Sequence, residues 1–183
     1  MTRLPYLETS DLAAQDQDVL QRPFRLWRTL ANAPAASRQF QAMVGHLWQH
    51  SGLPRRQVEL AILQVGYVTR AEYEWVHHIR LGLQNGLEPR DIAAIGEETA
   101  GRATHLPEAD RLILRAAREM TPDGELGDAT FDALRTHFDH ELLLNLLMTI
   151  SFYNGVSILL KSLQIEAEDE YRSILAQYPF PSH

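Results

Sequence analysis

An all-α bundle built around an antiparallel helical hairpin is the fold class that this sequence predicts. Three observations carry the prediction. Apolar residues recur at three- and four-residue spacing along most of the chain. Pro, Gly and Asn punctuate those segments where helices start and stop. No convincing stretch alternates apolar and polar residues as a half-buried strand does.

Taken in order, residues 1–22 read as an extended arm with a short helix over 11–20. Residues 24–30 follow with large apolar groups at helical spacing, with Pro23 suited to the first turn and Asn32 and Pro34 as the interruption. The next helix, 35–51, carries Phe40, Met43, Val44, Leu47 and Trp48 on one stripe. Gly52 can cap it, and Pro54 can open the next. Residues 55–68 and 72–85 form the hairpin, joined at 69–71 and stopped by Gly86. Pro89 opens a helix to about Glu97, and Pro107 opens another to Met120, with Leu112, Ile113, Ala116 and Ala117 inward. Pro122, Asp123 and Gly124 mark 121–127 as a loop. Asp128 reads as the N-cap of a helix ending near Phe138. Residues 140–165 are the most apolar helix, apolar on every side, which suits the domain centre or a subunit interface. A short helix and tail complete the chain. The organisation expected is an arm over 1–34, a helical domain over 35–165 and a tail over 166–183.

Composition excludes several functions. With 183 residues and 45% apolar content, the chain can bury one domain-sized core. A net charge of −7 argues against a nucleic-acid surface, which needs a basic face. The longest apolar run, 142–160, is interrupted by Asn145, Thr149, Ser151, Asn154 and Gly155, so no membrane span is expected. No secretory pattern opens the chain, and a cytoplasmic location is the expectation. There is no cysteine, which removes disulfides, thiolate metal sites and thiol redox chemistry together.

The hairpin concentrates acids and histidines where a core helix should be apolar. Glu59 precedes the run Leu60, Ala61, Ile62, Leu63. Glu74 and His78 stand four apart and share one helix face. Antiparallel packing can bring Glu59 to that face. A buried carboxylate is costly unless it is paired or functional. His77 points about 100° away from His78 around the helix and cannot share its role. His46 and His50 have a spacing that can hold a metal, but no HExxH accompanies them and they read as surface or cap residues.

Residues 57–86 as a whole resemble the signature region of the carboxymuconolactone decarboxylase family, which shares its fold with the alkylhydroperoxidase D (AhpD) proteins. The resemblance rests on Glu59 before an apolar helix, on Tyr73-Glu74-Trp75 followed by His78, and on Gly86-Leu87 at the helix end. Two cysteines of the peroxidase branch would fall on Ala71 and Glu74, so this sequence departs from that branch. The resemblance implies an AhpD-like bundle that oligomerises through its long helices. It also implies a cofactor-free, metal-free enzyme that decarboxylates, or moves protons on, a small carboxylated lactone or keto acid. In that scheme His78 is the main acid/base, Glu59 its orienting or relay partner and Glu74 a second acid. Arg70, Trp75, Tyr73 and Tyr153 are the residues expected to hold substrate, with Arg80 a further cation. The arm and tail are extra segments able to build a pocket of their own. The competing readings are a ligand-binding, non-catalytic helical oligomer, or a peroxidase-like protein in name only.

Overall fold

The computed structural model describes residues 2–180. Its α-helices are α1 (Arg25–Leu30), α2 (Pro34–Gln49), α3 (Arg55–Thr69), α4 (Glu72–Gln84), α5 (Pro89–Thr99), α6 (Glu108–Asp123), α7 (Asp128–Leu134), α8 (His140–Leu163) and α9 (Arg172–Gln177). Short 3-10 turns at Thr9–Asp11, Ala14–Leu20 and Asp169–Tyr171 complete the secondary structure. No strand occurs among the described residues.

The bundle is arranged around α3. Every residue from 58 to 66 on it is buried, polar ones included. A helix is covered on all sides only when neighbours surround it. Here α4, α6 and α8 do so. That position explains why Glu59 and Gln64 are both fully buried. Gln64 meets Thr99 and Arg118. Arg56, next to the hairpin start, is bound by Asp91 and Asp110, and His105 closes on Asp91 at 2.8 Å.

Helix ends follow local chemistry. The hairpin joint turns at Arg70, which takes a left-handed conformation at φ 52°. Asp139 caps α8 by accepting from the Leu142 N–H at 2.9 Å. Several boundaries differ from the sequence reading. Pro122 and Asp123 belong to the last turn of α6, and the chain leaves the helix one residue later, at Gly124 with φ 76°. Gly127 rather than Asp128 caps α7, which stops at Leu134 because 135–138 turn toward the new cap. Phe24 caps α1, so Pro23 lies outside the helix. The expected helix over 11–20 is a 3-10 turn instead. The last three residues of the expected tail lie outside the described residues.

The longest helix corrects one expectation. Despite its Asn, Ser and Gly interruptions, α8 is long and apolar enough to cross a membrane by length and composition. Its Leu143, Leu146, Ile150, Val156 and Leu160 are buried inside the bundle, with α3 and α6 as neighbours. Its other side exposes Leu144 and Ile158, at 60% and 65%.

Both chain ends fold back onto α8 and α1. The Arg3 N–H donates to the Leu163 carbonyl at 2.9 Å, and the Leu7 N–H to that of Arg28 at 3.1 Å. Arg25 reaches the tail through its backbone N–H to Glu168 and its guanidinium to the Ala167 carbonyl, both at 2.6 Å. The arm and the tail thereby meet at Glu168, which also bonds His77 on α4.

Candidate active site

Glu59, His78 and Glu74 converge. The hairpin lays α4 against α3, and His78 on α4 faces Glu59 near the start of α3. His78 Nδ1 lies 2.7 Å from Glu59 Oε2. His78 Nε2 lies 3.3 Å from Glu74 Oε2, in ion-pair range. That second contact lacks hydrogen-bond alignment, and Glu74 Oε2 is buried with no hydrogen-bond partner. Behind Glu59 stands Arg55, one turn earlier on α3 and ion-paired with Oε1. The order is therefore Arg55, Glu59, His78, Glu74, with charges alternating when the imidazole is protonated.

The electrostatics favour that protonated state. Burial pushes the His78 pKa down, but the Glu59 and Glu74 carboxylates outweigh it and lift the value to about 9. The ring then carries both protons at neutral pH, and its Nδ1–H donates to Glu59. Tyr153 packs edge-on against His78 with ring centroids 5.1 Å apart. Burial, and then the two carboxylates, hold its phenol well above the ordinary tyrosine value, so it stays neutral. Its oxygen accepts from Trp48 Nε1 at 2.7 Å. Trp48 in turn lies under the Arg55 guanidinium, 3.9 Å from the ring centroid.

Glu74, His78 and Tyr153 line a cavity of about 310 Å³. Its walls are largely aromatic, with Trp27, Phe40, Trp48 and Phe152 among them. Glu59 is fully buried and does not reach it. The exposed Arg22, Arg80, Gln84 and Glu170 occupy its solvent side. The arm contributes Arg22 and Phe24, and the tail Glu170 and Tyr171.

His77 borders the same cavity, contrary to the expectation that its angle on the helix separates it from His78. It lies stacked between Tyr73 and Tyr171, with centroids 4.1 and 4.0 Å away. Its Nε2 meets Glu168 Oε2 at 2.6 Å. Burial raises the Glu168 pKa, but hydrogen bonds from His77 and the Arg25 N–H bring it below the ordinary carboxylate value. The cavity is wide enough for residues about 100° apart on α4 to reach it from two sides.

Two expected substrate residues are elsewhere. Arg70, at the left-handed end of α3, lines a separate recess with Lys161 and Gln164 and lies over Phe180 at 5.5 Å. Trp75 is buried beneath the tail, stacking on Phe180 and donating from Nε1 to the Tyr178 carbonyl. Tyr73 and Tyr153 do line the cavity. Arg80 lies at its edge, bound to Glu170 and Tyr171. His46 turns to Asn145 at 3.1 Å. Among the described residues, no three or more His, Asp or Glu side chains form a group able to hold a metal ion.

Residues 34–106 match the family model of the carboxymuconolactone decarboxylase family. The likeness to that family is confined to this segment. The family segment runs from α2 through α5 and carries Glu59, Glu74 and His78 together. Solved structures extend the likeness to most of the chain. An uncharacterized peroxidase-related protein from Ralstonia eutropha JMP134, described as an alkylhydroperoxidase AhpD core, aligns with a TM-score of 0.77 at 21% identity, covering 93% of this chain and 94% of that one. An uncharacterized peroxidase-related protein from Silicibacter sp. TM1040 gives 0.73 at 21% identity, covering 92% of each. A protein of unknown function from Agrobacterium tumefaciens, named there as a candidate antioxidant defence protein AhpD, gives 0.65 at 20% identity, covering 76% of this chain and 94% of that one. No curated protein matches the sequence. The fold is AhpD-like, and the chain has no cysteine, as in a carboxymuconolactone decarboxylase family branch without the peroxidatic thiols.

Proposed function

We propose that this chain is a cofactor-free acid–base enzyme, a lyase or isomerase for a small carbonyl compound or lactone. The observation that carries the reading is the buried Glu74 oxygen, without a hydrogen-bond partner and 3.3 Å from His78 Nε2, with both side chains on one cavity. His78 supplies a proton and positive charge, and Glu74 accepts a proton. Glu59 and Arg55 hold the imidazole from behind as positioning residues. The raised His78 pKa moves the receiving role to Glu74, which sequence alone assigned as a second acid. Decarboxylation of a carboxylated lactone or keto acid belongs to this class. Loss of carbon dioxide leaves an electron pair that delocalises into the carbonyl, and His78 protonates the carbon. Peroxide reduction by a thiolate has no nucleophile in this chain.

The test is a panel of small lactones, keto acids and ketones, followed by NMR in deuterated water for carbon dioxide release and α-proton exchange. Turnover of one compound class is expected, with loss of at least about a hundredfold in His78→Ala and in Glu74→Gln. Full activity in both variants would discard the assignment.

A second copy of the chain belongs to the same proposal. The outward side of α8 supports self-association, since Leu144 and Ile158 lie on one exposed stripe that a second helix could cover.

A further inference from the structure

The cavity carries more information about its ligand than the acid–base reading uses. Tyr153 is 3% exposed and its oxygen already accepts from Trp48, yet its own O–H meets no acceptor among the described residues. Glu74 is 2% exposed, and its Oε2 has no donor. His78 touches both side chains. One buried wall therefore offers a spare donor beside a spare carboxyl acceptor. The remaining interior is apolar: Leu26, Trp27, Phe40, Val44, Phe152 and Val156. Positive charge inside is spoken for. His78 lies between two carboxylates, His77 is bonded to Glu168, and Arg80 to Glu170 and Tyr171. Arg22 is exposed at the edge. A ligand carboxylate entering this interior meets Glu74 with no unneutralised cation to receive it, and burying an unpaired charge is costly.

We infer that the cavity binds an uncharged, ring-bearing enolisable carbonyl compound, its oxygen on Tyr153 and its acidic C–H toward Glu74. The inference rests on the acid–base reading and narrows it to uncharged substrates, so that within that class it favours enolisation over decarboxylation of a carboxylate. The step balances without a further reactant. Glu74 Oε2 takes the hydrogen from the carbon next to the carbonyl. The C–H electron pair becomes the enolate double bond, and the carbonyl π pair moves to oxygen, where the Tyr153 O–H holds it by hydrogen bond. Returning that proton to the same carbon regenerates the ligand. Returning it to the far end of a conjugated enolate isomerises it.

The test uses the full chain with three probes of similar size: β-tetralone, its parent hydrocarbon tetralin, and the dianion phthalate. Trp27 and Trp48 line the cavity, so quenching of tryptophan emission reports occupancy. β-Tetralone is expected to bind at least about tenfold more tightly than phthalate, and Tyr153→Phe to weaken β-tetralone by about tenfold, the order of one lost hydrogen bond. Tetralin binding unchanged in Tyr153→Phe shows that the variant keeps its cavity. Phthalate binding as tightly as β-tetralone, or equal loss of tetralin and β-tetralone in the variant, overturns the inference. Proton exchange on bound β-tetralone separates the two proposals. Binding without exchange keeps the ligand class and removes the catalytic reading, whereas exchange lost in Glu74→Gln with binding retained supports both.

Discussion

His78 couples the site to the stability of the whole fold. Its folded pKa of about 9 exceeds the ordinary histidine value of 6.5. A group with a raised folded pKa stabilises the native state while both states are protonated, and loses that contribution as pH climbs. The stabilisation is complete below about 6.5 and is lost as pH passes through about 9, amounting to something on the order of 3 kcal/mol. Thermal unfolding from pH 6 to 10 is expected to show a falling midpoint over that window. Burial lowers this pKa, and the Glu59 carboxylate is the strongest influence raising it. Glu59→Gln should therefore pull the ring titration, followed by NMR, down from about 9 and flatten the dependence of stability on pH. An unchanged titration would show that Glu59 does not set the charge of the ring. Spacing puts Glu74 and His78 on one helix face and lets an antiparallel hairpin bring Glu59 to it, and the family resemblance is what singles out the three together. Arg55 is equally legible, because it stands four residues before Glu59, but a surface ion pair has the same signature. Arg70 and Trp75 lie away from the cavity, because chain proximity to the site does not set side-chain direction. A left-handed cap turns the first toward Phe180, and the second lies buried under the tail, against Tyr178 and Phe180.

At the scale of elements, periodicity locates helices well and their ends less well. Ends depend on single-residue conformations that a composition pattern does not register. The Pro-Asp-Gly run reads as a loop, yet only its glycine leaves the helix. The end of α8 shows the same point without a glycine. Gln164 occupies the left-handed region at φ 55° while its N–H and that of Ile165 close the last turn onto Lys161 and Leu160. A side chain with a Cβ is disfavoured there, whereas glycine adopts the conformation freely but loses more entropy on folding. Gln164 is exposed. Gln164→Gly is thus expected to stabilise the fold by roughly 0.5–1 kcal/mol, the difference between those two terms. Chemical denaturation measures it, and a destabilised variant would mean that the Gln164 side chain supports the end of α8.

At the scale of the molecule, the cavity is assembled from parts far apart in sequence. Phe24 comes from the arm, Trp48 from α2, Tyr153 from α8 and Tyr171 from the tail. No periodic signal relates them, so the sequence shows that extra segments exist without showing which wall they form. The outward side of α8 poses the opposite case, a pattern with no partner in the fold. Leu144, Ser151, Gly155 and Ile158 are all exposed and fall at intervals of seven, four and three, so they share one stripe. A Cβ built at Gly155 meets nothing within 4 Å, so another helix has room to approach there. In a two-fold contact each residue of the stripe is buried twice, once per copy. Burying one Leu or Ile side chain contributes about 1.5–3 kcal/mol, so Leu144 and Ile158 together supply a substantial share of a dimer's association energy. Sedimentation is therefore expected to give an oligomer for the wild-type chain and a monomer for the Leu144→Glu, Ile158→Glu double variant. Neither side chain lines the cavity, so the His78 titration should be the same in both species. A wild-type chain that remains monomeric at high concentration would leave the stripe without a second copy to cover it and would remove self-association from the proposal.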